Sequence, residues 1–246
     1  MENGKTYRAY IYGNYADNLH QNLITGNLCK ERKMIYEYFK KNYLPYFPND
    51  KKCKILDLGC GLGNYLYAVK KCGYKNVVGV DSSKSVVEFC KERGMQCVQA
   101  DARKYLEKYE DTYDVILFND VIEHFTKDEL FEVLHLLYKS LTKKGRIFIK
   151  TMNLSNPITG MAGRYLDLTH EIGFTEISMR QTLLAASFKR VKVIGADIYV
   201  NSILFARVLK MLSRVNNFIW YAINCLYGRT TVKIFEKNII AIAYKE

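Results

Sequence analysis

The run Ile55-Leu56-Asp57-Leu58-Gly59-Cys60-Gly61-Leu62-Gly63 decides the fold. Strand-like residues lead into a turn with glycine at every second position, and a helical pattern continues over 63–72. Glycine lets the backbone turn tightly and approach a ligand, and a helix start exposes amide donors. A nucleotide-like cofactor suits such a turn. An ordinary strand–helix turn looks the same locally, so the residues downstream of Gly63 must separate the two.

Strand and helix alternate from there. NVVGVD (76–81), QCVQAD (96–101), YDVILFND (113–120) and RIFIKT (146–151) read as strands, and 84–93 and 127–141 read as helices. Short apolar strands between helices indicate a parallel sheet covered on both faces, a doubly wound α/β fold. Residues 179–187 read as a helix, 190–197 and 238–244 as strands, and the apolar stretch 200–227 as a helical insertion between those strands. The expectation is a seven-stranded, mostly parallel, Rossmann-like sheet closed by an antiparallel final strand.

Pro45 and Pro48, with Asn49 and Asp50, punctuate the chain ahead of the first strand. Residues 1–50 therefore read as an N-terminal helical extension, with a helix over Lys30–Tyr43, and 51–246 as the main domain. Within that domain, 152–178 is the acceptor-side loop and 198–237 the insertion. With 246 residues, 49% hydrophobic and 25% charged, the chain is neither disordered nor fibrous. Seven cysteines form no CxxC pair and the N-terminus has no apolar signal core, which points to a reducing cytoplasm. The longest uncharged run, Val215 to Gly228, is shorter than the ~20 residues a membrane span needs.

The formal charge of +12 suggests an anionic partner. It is uneven: residues 1–54 carry +5, residues 55–150 carry +1 and residues 151–246 carry +6. The basic segments are expected to face the acceptor.

Asp81 ends the second strand 18 residues after Gly63, where a carboxylate can bind a ribose diol. Asp101, with Ala102 next to it, ends the third, and Asn119 lies at the end of the fourth. Open α/β sheets bind ligands at these carboxyl ends. A nicotinamide fingerprint would need glycine where Asn64 stands. The pieces DLGCGLG (57–63), VDSS (80–83), ADAR (100–103), YDVILFNDVIEHF (113–125) and KKGRIFIK (143–150) together resemble the class I S-adenosylmethionine-dependent methyltransferases. The resemblance implies S-adenosyl-L-methionine as cofactor. Asp57, Gly59, Cys60, Gly61 and Gly63 would hold its methionine end, Asp81 with Ser82 the ribose, Asp101 and Ala102 the adenine, and Asn119 the region beside the sulfonium.

Methyl transfer to oxygen needs an in-line acceptor and a group to take its proton. If a helical turn begins after Asn119, Asp120, Glu123 and His124 share one face. They offer a base, or with His170 a site for Mg²⁺ or Mn²⁺. The set is similar to the ExxEH of metal-assisted small-RNA 2′-O-methyltransferases and ubiquinone-biosynthesis O-methyltransferases, with Asp120 in place of the first Glu. Glu-His after this strand is also frequent in class I methyltransferases without metal, and no metal is assigned.

In the loop, Arg164, Tyr165, Asp167, Thr169 and His170 crowd into seven residues. The expectation is a wall of the acceptor pocket, with Arg164 on phosphate, Tyr165 and Asp167 beside it, and His170 as base or ligand. The pattern RYxDxTHxxGFT resembles bacterial methyltransferases encoded with capsule and lipopolysaccharide enzymes. That implies O-methylation of a sugar or of a phosphate- or phosphoramidate-containing group on a phosphorylated or lipid-linked polysaccharide precursor. The alternatives are a metal-assisted RNA 2′-O-methyltransferase and a quinone or small-metabolite O-methyltransferase. Basic residues are dispersed and no RNA-binding module is recognisable, so nucleic acid ranks last among the partners. The insertion at 200–227 reads as peripheral contact with an anionic membrane, as a lid or as a dimer contact. His20 and His135 receive no role.

Overall fold

The computed structural model describes Ile11, residues 28–196 and residues 203–246. His20 and the beginning of the insertion lie outside the described residues. Helix α1 (Leu28–Asn42) precedes β1 (Ile55–Leu58), α2 (Asn64–Lys71), β2 (Val77–Asp81), α3 (Lys84–Glu92), β3 (Cys97–Gln99), α4 (Ala102–Leu106) and β4 (Tyr113–Asn119). Then come α5 (Lys127–Ser140), β5 (Leu141–Met152), α6 (Gly160–Tyr165), α7 (Glu176–Ala185), β6 (Lys189–Gly195), α8 (Ile203–Leu226) and β7 (Asn238–Tyr244).

The seven strands form one sheet in the order β3-β2-β1-β4-β5-β7-β6. The first five are parallel, and β7 runs antiparallel to both β5 and β6. Alternation along the strands splits the core between the two faces. Leu56, Leu58, Ile116, Phe118, Ile147 and Ile149 pack under α5 and α7, while Ile55, Val115, Leu117, Phe148, Ile240 and Ile242 pack under α1, α2 and α3.

Most strand boundaries differ from the sequence reading by one or two residues, and those of β3 and β5 have identifiable causes. The third strand stops at Gln99, because Asp101 leaves the sheet to cap α4, its Oδ1 accepting from the Arg103 and Lys104 amides. The fifth strand begins at Leu141, with a register shift between Tyr113 and Val115 where β4 pairs with it. A capping box, Thr126 with Glu129, fixes the start of α5.

An aromatic stack joins the N-terminal extension to the sheet. Tyr43 stacks on Phe39 at 5.3 Å and on Phe148 at 5.5 Å, and Phe47 meets Phe39 and Phe148 at 5.0 Å. Phe39, Tyr43 and Phe47 of the extension are therefore part of the core. Phe47→Ala should cost about 3–5 kcal/mol; urea unfolding monitored by circular dichroism measures it, and a change under about 1 kcal/mol would refute this placement.

Candidate functional site

Three glycines shape the turn after β1, each in the left-handed region: Gly59 (φ 76°), Gly61 (φ 49°) and Gly63 (φ 73°). The Gly59 and Cys60 amides donate to the Val80 carbonyl at 2.7 and 3.0 Å, tying the turn to β2. A side chain at Gly59 would collide with Val121 Cγ2, whereas one at Gly61 would meet nothing within 4 Å. Gly61 is thus the open point of the loop. Its amide donates to Asp81 Oδ2 at 3.0 Å, and the Ser83 amide donates to Asp81 Oδ1 at 2.9 Å, which fixes that carboxylate at the end of β2.

A cavity of about 1090 Å³ opens at these strand ends. Asp57, Gly59, Cys60, Gly61, Asp81 and Ser82 line it, as do Asp101, Ala102, Asn119, Asp120 and His124. Gly63 does not; it sits at the N-cap of α2. Asp57 is buried, and its Oδ2 has no hydrogen-bond partner. Burial, then Cys97 and Asp81, pushes its carboxyl up to about 8.

The wall is acidic. Seven carboxylate side chains line it: Asp57, Asp81, Asp101 and Asp120 near strand ends, and Glu31, Glu129 and Glu171 from the surroundings. Against them stand Arg103 and Lys150, and Lys150 is ion-paired with Asp120 at 2.5 Å. Among the described residues of the two basic flanking segments, no Lys or Arg lines this cavity.

At the end of β4, Asn119 accepts from the Tyr43 hydroxyl at 2.7 Å, and its own Nδ2 is buried without a partner. Asp120 then takes φ 55°, which breaks any helical continuation. The next turn, Ile122–His124, is a short 3-10 helix. Asp120 accordingly points to Lys150 and does not share a face with Glu123 and His124. His170 replaces it. Glu123, His124 and His170 present ligand atoms within 4.8 Å of one another, and the two imidazole rings lie 4.8 Å apart. Glu123 is buried with Oε2 unsatisfied, and burial, then Asp120, pushes it up to about 8.

The hydrogen bonds fix both imidazole tautomers. The Thr169 hydroxyl donates to Asp167 Oδ1 at 2.7 Å, so it accepts from His124 Nδ1 at 2.8 Å. His170 Nδ1 faces the Gly163 carbonyl at 3.0 Å and must donate. Neutral His124 therefore carries its lone pair on Nε2. Burial, then the His170 charge, pushes His124 down to about 4, so it is neutral at pH 7.

The loop residues expected on the acceptor wall do other work. The Arg164 guanidinium donates to the carbonyls of His170 and Glu171, the latter at 2.7 Å, because these backbone groups have turned inward. Asp167 is held in the Thr169 turn, Tyr165 is 72% exposed, and none of the three lines the cavity. His170 is buried behind His124 and does not line it either. Sequence reasoning also missed Glu31 and Ile35 of α1, Tyr65, Lys150 and Glu171, all of which do. Lys150 was within reach, since it pairs in register with Asn119. The Glu31 position depends on Asn64 Nδ2 donating to its Oε1 at 2.9 Å, which no local pattern signals.

A second group with three candidate ligands among the described residues, Cys60, Cys90 and Cys97, lies behind the glycine turn with sulfurs within 4.8 Å of one another. All three are free thiols packed in the core on that face of the sheet.

Residues 55–145 match the family model described as a methyltransferase domain. A ubiquinone biosynthesis O-methyltransferase from Aliivibrio fischeri is 32% identical over 106 residues, 41% of this chain and 44% of that protein. A tRNA U34 carboxymethyltransferase from Helicobacter pylori is 29% identical over 112 residues, 42% of each chain. The chain thus spans less than half the length of these curated relatives. A crystal structure of an S-adenosylmethionine-dependent methyltransferase from Archaeoglobus fulgidus superposes with a TM-score of 0.68 at 24% identity, over 92% of this chain and 98% of that one. The fold is that of the S-adenosylmethionine-dependent methyltransferases, and residues 55–145 are similar in sequence to a methyltransferase domain.

The residues fit that cofactor, whose sulfonium and ammonium are cations. The orphaned Asp57 oxygen and the acidic wall suit them, and the Asp81 carboxylate at the end of β2 has the chemistry to bind a ribose diol. Because Asp57 is protonated below a pH of about 8 and must ionise to meet an ammonium, binding releases a proton. The affinity for S-adenosylhomocysteine should rise, by about tenfold per pH unit at most, from about pH 6 to 8 and then level off. Calorimetry in buffers of different ionisation enthalpy measures the release; Asp57→Asn should abolish it, and an unchanged release in that variant would refute the assignment.

Proposed function

We propose that this protein transfers the methyl group of S-adenosylmethionine to a hydroxyl oxygen of an acceptor that is uncharged where it enters the cavity. Such an acceptor is the sugar of a surface-polysaccharide precursor or a quinol. One observation carries the reading: the neutral imidazole of His124 borders the same acid-walled cavity as Asp57 and Asp81.

When bound, the cofactor supplies an electrophilic methyl group. Asp57 and Asp81 hold its two ends, and the acid wall favours its positive charge. His124 Nε2 accepts the hydroxyl proton, while Thr169 and Asp167 keep Nδ1 protonated and the ring aimed. Lys150, burial notwithstanding, is held in its charged form chiefly by Asp120, so that pair adds no net charge.

The oxygen acceptor fits the Aliivibrio relative, a ubiquinone biosynthesis O-methyltransferase. A phosphate within the cavity has less support, because Arg164 is committed to backbone carbonyls and Lys150 to Asp120. Any phosphorylated or lipid-linked portion of a glycan precursor would lie outside. RNA methylation is disfavoured by the same wall, which would repel a phosphate backbone.

A second reading, metal assistance, rests on Glu123, His124 and His170. With two imidazoles and a carboxylate presenting ligand atoms within 4.8 Å of one another, the cluster can hold a divalent ion.

The test is a mass-spectrometric screen of sugar nucleotides and quinol analogues for methyl transfer, with and without chelator. Asp81→Ala should weaken S-adenosylhomocysteine binding roughly 10- to 100-fold. His124→Ala should lower turnover roughly 10²- to 10⁴-fold with cofactor affinity unchanged. Full turnover in His124→Ala would eliminate it as the base, and loss of activity on chelation would favour the metal reading.

A further inference from the structure

Helix α8 carries its apolar stripe on the side away from the protein. At about 100° per residue, Val208, Met211, Leu212, Val215, Phe218 and Ile219 share one face. All six are exposed, Phe218 to 71% and Met211 to 58%. The opposite face is mixed and turned inward: Ser213, Asn217 and Asn224 are partly buried there, together with Leu209 and Trp220. Asn217 Nδ2 donates to Glu236 Oε1 at 2.7 Å, and Trp220 Nε1 donates to Asn216 Oδ1 at 3.1 Å. No residue from Val208 to Leu226 is fully buried. This is the reverse of a core helix, and a contiguous apolar stripe of this size marks a contact surface.

The charge around the stripe has one sign. Residues 203–235 contain no Asp or Glu and five basic residues, Arg207, Lys210, Arg214, Arg229 and Lys233. Arg214 is exposed beside the apolar face. Two copies paired through this helix would bring together two segments that carry basic residues and no Asp or Glu over 203–235, and like charges would oppose them. The stripe instead calls for a partner that is apolar and anionic at once.

The helix also hangs from the cavity's edge of the sheet. It comes after β6, whose Gly195 pairs with Ile239, and precedes β7, whose Asn238 pairs with Met152 at the carboxyl end of β5. The loop after β5 exposes Ile158, Met161, Leu166 and Leu168 at that same end. Asn153 and Asn156 tie this loop to the base of the insertion through the carbonyls of Ile234, Phe235 and Glu236.

We propose that α8 is an interfacial helix that docks the protein on an anionic membrane surface. Its apolar stripe enters the acyl boundary, and its basic residues meet the headgroups. Its 24 residues span about 36 Å in the plane. No helix among the described residues is long and apolar enough to cross a bilayer, so the contact is peripheral. If the methyl-transfer reading holds, docking brings the cavity's edge of the sheet to the bilayer, where an acceptor bearing a lipid tail is accessible.

Flotation of the full chain with phosphatidylcholine vesicles, with and without phosphatidylglycerol, tests the docking without reference to catalysis. Trp220, the chain's one tryptophan, reports binding as a blue shift. Flotation should need the anionic lipid and weaken with salt. Leu212→Asp combined with Phe218→Asp should lower the partition roughly tenfold or more. Because both side chains are exposed, thermal melting and S-adenosylhomocysteine binding should stay unchanged. Absence of flotation on anionic vesicles, equal binding to neutral ones, or an unaffected double variant would overturn the proposal. A protein that does not float and whose dimer the double variant dissociates would mean that a second copy covers the stripe.

Discussion

The buried carboxyl of Asp57 is the constraint on which the rest of the cofactor end depends. A carboxylate withdrawn from water without a partner is costly, and the group answers by keeping its proton to a pH of about 8. It stands at the end of β1, in the middle of the sheet, with almost no surface open to water. The turn after it must leave that oxygen without a donor while closing the core beneath. Three left-handed glycines and two amides on the Val80 carbonyl achieve this. Gly79 belongs to the same device, since a side chain there would collide with Cys60 Sγ at 2.8 Å. Sites that bind cations tolerate such a group because the ligand relieves it.

Electrostatics divide the molecule into an acidic interior and a basic exterior. The charge of +12 is carried on surfaces, while the cavity is walled by carboxylates. On the readings proposed above, one field serves two ligands: the wall favours a cationic cofactor, and the outer surface favours an anionic membrane. The two do not compete, because the acids are local and partly desolvated while the basic residues act over the outside of the molecule.

Legibility in the sequence tracked the range of the interactions. The glycine turn, Asp81 and Asn119 are local: a strand end and a fixed spacing suffice to place them, and the mostly parallel sheet was readable from strand alternation. The acceptor end was misread where tertiary contacts prevail. Helical spacing placed Asp120 with Glu123 and His124, but its φ of 55° and its pairing with Lys150 turn it away. Arg164 reads as a phosphate ligand by residue type alone, yet two inward-facing carbonyls claim it. The contribution of α1 could not be read at all, because it arises where a helix of the extension crosses the turn and Asn64 reaches Glu31.

The acceptor loop is therefore a support more than a wall. Arg164 gathers the His170 and Glu171 carbonyls, the Glu123 carbonyl accepts from the Glu171 and Ile172 amides, and Asp167 orients Thr169. Each of these bonds positions His124, His170 or Glu171 rather than meeting a ligand. A loop that spends its polar side chains inward leaves its apolar ones outward, and Ile158, Met161, Leu166 and Leu168 are accordingly exposed. What remains for an acceptor is a neutral imidazole at the cavity, with an exposed apolar loop at the same carboxyl end of the sheet. That combination suits a hydroxyl carried on an apolar or membrane-attached molecule better than a free phosphorylated sugar, whose charge would meet carboxylates at the wall and cations already engaged elsewhere.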